Sequence, residues 1–528
     1  MKSDLYAACS RRQNPLLLPE IAQWIYYFSR EIDGHHLAQT CSHLFSSLIP
    51  LVWADVNGVE RLLALIAGTK ISVDSNDNMQ IFMAHKSLTD EDLRRFNFYA
   101  PFVKRLNCFK IEKYSRYRLR GWKQLLTALG SSPLLPNLHI LTFNTRPTTT
   151  PFEQQAWFML LLSPPIQELS LITTSTSNAD LNASAAELFF RCVSTTLLGI
   201  TDLPSSSNDP PPHSIRTTVI STRSDDVERI SWLTTVRDLA SLSQLFISMS
   251  TLRAGQLSSI GLLPRLESLE LDFDVDRNGN STSSYTTPNL PDDAFPRLRH
   301  FGLINLPDVP SFHAIWSLTP LVSNLTSVTL HFNKYRWMNV LTHDEIISDF
   351  IHPISEKSPD LVDIAIHPPE YEWNEAESSA PMFGLIARLP LTKLRFAPMV
   401  PLHISIPRAA GEYHLLRRLE LPTSWVEVAD IKTLAIAFPN LEYLALQITI
   451  HPGDFEDDQP TPTSPRPIIL RVLSVFLEED PLWDGAILGE GLARLLHSLW
   501  PKARYLTNES DILRYKFIPP WGRTRLFI

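Results

Sequence analysis

The sequence predicts an α/β chain in two parts, a small bundle of three short helices followed by a long solenoid of parallel strands with helical or loop returns. Three observations predict it. From about residue 100 an apolar phrase recurs with a period near 29 residues. Proline is in excess, 41 residues or about 8% against a usual 5% or so. The first sixty residues instead carry apolar side chains at helical spacing. At 528 residues with 44% hydrophobic and 20% charged side chains, the chain has ample material to bury. Its length divides into roughly three to four domains or one repeat array.

The helices come first. Ile21, Trp24, Ile25 and Phe28 fall at i, i+3, i+4 and i+7, a one-sided helix opening at Leu18-Pro19-Glu20. Pro19 suits a first turn, where its missing N–H costs nothing, and Glu20 complements the positive end of the dipole. Residues 29–34 are expected to break the chain. A second helix should carry Leu37, Cys41, Leu44 and Leu48 and end at Pro50, and a third apolar element starts at Leu51. So much apolar surface in about 45 residues exceeds what so small a core can cover, so one face should need a partner. His35 and His36 are read as solvated turn residues, and Cys41 as a packed thiol rather than a nucleophile.

The repeat occupies the rest. Its phrase is an apolar residue, two variable ones, Leu, one variable residue and an apolar one. The clearest copies begin at Leu138, Leu266, Leu298, Leu325, Leu361, Leu391, Leu416, Leu441 and Leu470. Weaker copies begin at Val103, Ile166, Leu242 and Ala503. This is the leucine-rich-repeat signature at the irregular end of its range. The fourth and sixth positions lie two apart and share one face of a strand, so the residues between them point the other way. A single such strand cannot bury its apolar face, and parallel stacking solves that. Proline before many copies, as in Leu263-Pro264-Arg265-Leu266, stops the preceding return and presets an extended segment. Return helices are expected over 152–162, 344–351, 381–389, 428–438 and 489–500. The Ser-, Asn-, Asp- and Pro-rich stretches 203–214, 274–293 and 454–467 read as exposed excursions.

Leu18-Pro19-Glu20-Ile21, Leu37-Ala38-Gln39-Thr40-Cys41 and Val52-Trp53, in that order, resemble an F-box. With the repeats behind them, the chain resembles the fungal-type F-box/leucine-rich-repeat family, Val59–Ala67 continuing the pattern. The resemblance implies domains at 14–57 (F-box-like), 58–100 (helical linker or cap) and 101–528 (solenoid). It also implies a Skp-type adaptor bound through Leu18, Pro19, Ile21, Ile25, Leu37, Cys41 and Trp53, and through it a cullin–RING ubiquitin ligase. Thr40 replaces the aliphatic residue usual before the Cys, and Leu44 or Phe45 the common Trp.

A protein substrate would then meet the outward strand positions of the concave face: Ser268, Glu270, His300, Ser327, Thr329, His331, Asp363, Lys393, Arg395, Arg418, Glu420 and Tyr443. Their mixed charge suits a protein epitope. The alternative is a repeat scaffold uncoupled from ubiquitin transfer, with the first helices serving as a cap.

No catalytic residue, metal site or cofactor is expected. The sequence has no Gly-x-Ser-x-Gly, Walker loop or dinucleotide fingerprint. Gly489-Glu490-Gly491 lacks the Lys-Ser/Thr of a phosphate loop, and His343-Asp344-Glu345 reads as a helix cap. A net charge of −9 argues against a general nucleic-acid binder. Four scattered cysteines, Cys9, Cys41, Cys108 and Cys192, suit a reducing compartment, cytoplasm or nucleus. The longest apolar run, 156–162, is far short of the roughly 20 residues that cross a bilayer.

Overall fold

The structure is a computed structural model. It describes residues 18–29, 31–83, 87–110, 114, 116–130, 133–145, 156–157, 160–173, 213–217, 242–249, 256–273, 290–333, 345, 347–367, 388–397, 402–403, 413–451, 454–455, 468–477, 485–505 and 524–526. The excursions, the return at 381–389, Cys9, Cys192 and His343 lie wholly or largely outside these. The chain divides into two units, Met1–Ile247 and Ser248–Ile528.

The first unit opens with α1 (Pro19–Phe28), α2 (Glu31–Ala38) and α3 (Ser42–Val52). Three expectations fail here. The chain is helical at 31–34 instead of broken, and Gly34 lets this helix approach α1 closely: a Cβ added there would lie 2.6 Å from the Tyr26 ring. The predicted helix from Leu37 to Leu48 is two helices, with Cys41 as the extended N-cap residue of α3. Pro50 does not end α3, which runs two residues further. Ala22, Ala38, Leu44 and Leu48 form the core of this bundle, with Tyr26, Leu37, Leu51 and Val52 packed against it.

The ladder begins earlier than the boundary read from the sequence. β1 (Asp55–Asn57) pairs in parallel with β4 (Arg105–Asn107), so residue 55 already belongs to the sheet. β6 (Ile140–Thr145), β7 (Glu168–Thr173), β8 (His213–Thr217) and β9 (Leu242–Ser248) follow, each parallel to its predecessor. β8 matches none of the phrases, and its first two residues fall in the stretch 203–214 expected to be an exposed excursion. The expected helical linker 58–100 is also corrected. It holds α4 (Val59–Leu63) and α5 (Asp90–Tyr99), but between them lie β2 (Lys70–Val73) and β3 (Asn78–Phe82). These strands make a three-stranded sheet with β5 (Arg116–Arg120). Asp74 closes the hairpin by accepting from the backbone N–H of Asn76 and Asn78 and from the Asn78 and Gln80 amides. Those bonds hold its carboxyl well below the usual range. α6 (Trp122–Leu129) follows.

Glu60 is buried beside the backbone of Gly58, accepting from Lys110 Nζ at 2.8 Å and from the Tyr117 hydroxyl at 3.3 Å. Gly58 has φ +98, and a Cβ there would collide with the Glu60 carboxylate. Gly58→Ala therefore combines backbone strain with displacement of a buried, paired charge. A stability loss of about 1–3 kcal/mol is expected, and hydrogen exchange of the peptides covering 55–63 should report it.

The second unit repeats one architecture. β10 (Ser268–Asp272), β11 (His300–Leu306), β12 (Ser327–Phe332), β13 (Asp363–His367), β14 (Lys393–Phe396), β16 (Arg418–Glu427), β17 (Tyr443–Ile450), β18 (Ile469–Leu477) and β19 (Arg504–Tyr505) form a parallel ladder. β15 (Leu402–His403) lies beside β16, and β20 (Thr524–Leu526) pairs antiparallel with β18. Phrase leucines such as Leu269, Leu271, Val328, Leu330, Ile364, Leu394 and Leu419 are buried. This is the leucine-rich-repeat arrangement, each strand using its alternation to fill one shared core.

Return helices carry the other half of that core: α7 (Gln256–Gly261), α8 (Val309–Trp316), α9 (Thr319–Val322), α10 (His352–Lys357), α11 (Val428–Ala437) and α12 (Gly485–Leu499). α8 has Asp308 at its N-cap, accepting from Ser311 N–H at 2.8 Å. Its Phe312 and Trp316 stack at 4.9 Å, and Phe350 meets Phe312 at 4.7 Å and Phe332 at 4.8 Å. The return expected at 344–351 is a π-helical turn, Ile347–Ile351, continuing into α10, whose Pro353 sits in the first turn.

Candidate functional site

Two surfaces stand out, one in each unit. On the first unit, α1 exposes two of the four apolar residues that the sequence places at helical spacing, Trp24 and Phe28, together with Tyr27. Trp24 is 64% exposed, Tyr27 68% and Phe28 80%, with Leu18 at 42% beside them and Ile32 of α2 at 60%. The Trp24 and Phe28 rings stack at 5.6 Å. The core face of α1 is instead Ala22 and Tyr26, one position along from Ile21 and Ile25, which are half-buried. A small residue points inward because α1 packs against both α2 and α3, where only a short side chain fits.

The residues read as an adaptor face therefore divide. Leu18, Pro19 and Cys41 are exposed, and Ile21 and Ile25 are half-accessible. Leu37 serves the bundle core. Trp53 is half-buried with its ring 4.6 Å from that of Tyr99 on α5, so it joins the bundle to the segment that follows. Sequence reading missed Tyr27 and Ile32. The pattern signals that apolar side chains surround the whole of α1, more than a three-helix core can use.

On the second unit, register assembles the outward strand residues into rows. Ser268, His300, Ser327, Asp363, Lys393, Arg418 and Tyr443 are successive Cα partners. Glu270, Gly302, Thr329, Ala365, Arg395, Glu420, Ala445 and Arg471 make the second row. All twelve residues predicted for this face lie on these rows, except His331, which pairs with His367 in a third. Gly302 leaves room for Glu270, whose Cγ would stand 2.8 Å from a Cβ there.

Charge on this face is ordered. Glu270 and Asp272 lie at its start, while Lys393, Arg395 and Arg418 lie further along. Lys393 pairs with Asp363 at 3.6 Å and Arg395 with Glu420 at 3.7 Å. Arg418 also reaches Glu420, and its guanidinium lies 4.2 Å from the centre of the Tyr443 ring. Such half-exposed pairs contribute little to stability, so their effect is to orient long side chains across the face.

His331 and His367 stack at 3.8 Å with ring planes 7° apart. Burial, with Arg395 nearby, lowers His331 to about 4. Burial, His331 and Arg395 lower His367 to about 3. The folded chain thus keeps both imidazoles neutral where the unfolded chain, with values near 6.5, takes up protons. Stability is fully present above pH 6.5 or so and is lost as pH falls toward the folded values. His331→Gln with His367→Gln should flatten the thermal-melt profile between about pH 6.5 and 4, leaving neutral pH little changed.

The most chemistry-like cluster is Glu60, Cys108, Lys110 and Tyr117. Burial and the Glu60 charge push the Cys108 thiol up, which keeps it protonated and unreactive. Burial likewise raises the Tyr117 phenol. Among the described residues no group of three or more His, Cys, Asp or Glu side chains could hold a metal ion. Nor is any helix among them long and apolar enough to cross a membrane.

No family model matches the chain, and no curated protein matches it. Solved structures with a similar fold include TLR13 in complex with ssRNA13, 15% identical with a TM-score of 0.35, covering 78% of this chain and 54% of that one. The chain thus spans about half the length of that protein. An internalin, InlF, from Listeria monocytogenes strain 4b F2365 is 12% identical, with TM-score 0.27 and 74% and 83% covered. Rad7 in its yeast complex with Elc1 is 11% identical, with TM-score 0.34 and 86% and 92% covered. At these values the likeness assigns neither partner nor activity.

Proposed function

We propose that this chain is a non-enzymatic recognition subunit of an SCF-type ubiquitin ligase. In this reading the N-terminal helices dock on a Skp-type adaptor, which links to a cullin–RING ligase, and the ladder holds a protein substrate. The carrying observation is the apolar surface Leu18, Trp24, Tyr27, Phe28 and Ile32, left open on a bundle whose own core is complete without it. Exposed aromatics on that scale cost free energy in water unless a partner covers them. The rows from Ser268 to Tyr443 support the second half of the reading. They offer an acidic start and, further along, a stretch of paired opposite charges on a rigid sheet, which suits a protein epitope of mixed charge. The chain would act by raising the local concentration of its guest near the ligase.

Purified adaptor tests it. The chain should be captured by immobilised adaptor, and Leu18→Asp with Pro19→Ala should abolish capture. If no adaptor is recovered from either form, the ligase reading is lost. A scaffold reading would then gain weight, favoured by the contact between Trp53 and Tyr99, which ties the helices to the segment that follows them.

A further inference from the structure

Residues 93–130 contain ten Lys or Arg side chains and one acidic one, Glu112. That segment carries +9 in a chain whose total is −9, leaving −18 on the rest. Several of these cations are committed. Arg94 pairs with Glu91, Arg105 with Asp55 and Lys110 with Glu60. Arg118 and Arg120 are not: among the described residues neither has a carboxylate partner, Arg118 being half-buried and Arg120 exposed.

Both lie on β5, at alternate positions with Arg116. The opposite face of the small sheet holds buried Met79, Ile81 and Tyr117, so the arginine positions share the other face, where Gln80 is buried, Arg118 half-buried and Arg120 exposed at the edge. Register places Lys70 across from Phe82 and Phe82 beside Arg120, with Ser72, Gln80 and Arg118 as the next row. β5 is the terminal strand of the three, and among the described strands only β3 pairs with it.

We infer that this edge binds an extended acidic protein segment with carboxylates at alternate residues. A strand added beside β5 would repeat every roughly 6.6 Å, the spacing of the arginines. Guanidinium suits this task because its planar fork pairs with a carboxylate through two hydrogen bonds. Charge on an edge strand also discourages unwanted pairing, and the peptide titration below separates that role from binding. Nucleic acid fits less well. The aromatic ring in these paired rows, Phe82, lies 5.2 Å from the Arg120 guanidinium, so it offers no open platform for a base.

The test uses the full chain and a fluorescent peptide of about twelve residues alternating Glu and Thr, followed by anisotropy at roughly 50 mM salt. Saturable binding is expected, weakened about tenfold or more by Arg118→Glu with Arg120→Glu and by raising salt to roughly 300 mM. A peptide alternating Lys and Thr should not bind. Should the charge reversal disturb folding, judged by circular dichroism, Arg118→Gln with Arg120→Gln replaces it, with a smaller loss expected. The inference is overturned if the acidic peptide does not bind, or binds the variants as tightly as the natural chain. It is equally overturned if a single-stranded oligonucleotide of equal charge displaces the peptide at lower concentration than the peptide itself requires.

Discussion

Phe312→Ala is expected to cost about 3–5 kcal/mol, the range for removing a fully buried phenylalanine. Phe312 has no exposed surface, and its ring touches Trp316 at 4.9 Å and Phe350 at 4.7 Å. Trp316 in turn lies 6.1 Å from Phe301 on β11, and Phe350 packs on Phe332 of β12. The ring therefore joins two return segments to two strands, and the cavity cannot close without moving all four. Because the chain has two units, a single melting temperature mixes their transitions. Peptide-resolved hydrogen exchange separates them: amides of 300–332 and 347–357 should exchange faster, while those of 19–52 stay as they were. Phe28→Ala removes a ring of the same size that is 80% exposed, and it should change stability by no more than about 0.5 kcal/mol. Equal losses from the two substitutions would mean that α8 does not seat against the sheet as described.

How far the sequence carried the fold depends on what each element rests on. The second-unit strands were legible because their constraint is periodic and local: inward positions must be apolar, and Leu269, Leu330 and Leu394 obey it. Identical phrases stack in phase, so the outward positions Asp363, Lys393 and Arg418 fall into one row in the structure. β8 was missed because His213-Ser214-Ile215-Arg216-Thr217 keeps one apolar residue of the phrase, and pairing with β7 supplies the rest. The β2–β3 hairpin was missed although Asp74-Ser75-Asn76-Asp77-Asn78 is a strong turn signal. Expecting a helical linker obscured it. The bundle failed differently. Gly34 reads as a helix breaker in isolation, but its place under Tyr26 is a tertiary contact that no local rule contains. The open face of α1 was half legible: spacing gave Trp24 and Phe28, whereas their exposure depended on Ala22 claiming the core.

That inversion sets up the other large expectation. Trp24→Ser with Phe28→Ser should reduce affinity for a Skp-type adaptor by a factor on the order of 10² or more. A large apolar side chain buried in an interface contributes about 1.5–3 kcal/mol, and aromatic anchors rank among the strongest contributors to binding. The pair forms a preassembled stack, so little side-chain freedom remains to be lost on docking. The substituted rings are exposed, so the bundle core of Ala22, Leu44 and Leu48 should stay intact, and circular dichroism should show unchanged helix content. Titration calorimetry with purified adaptor reads the affinity directly, and sedimentation of the chain alone reads the competing possibility. If the natural chain self-associates and the double variant is monomeric while adaptor binding is absent from both, the stripe is a homotypic surface. A variant that binds adaptor as tightly as the natural chain would place the adaptor elsewhere, on the half-buried Ile21 and Ile25 or not on this unit at all. The reading therefore depends on exposure, not on the opening Leu-Pro-Glu-Ile alone, because a helix start of that composition is common and a stacked, solvent-facing Trp–Phe pair requires a physical cause.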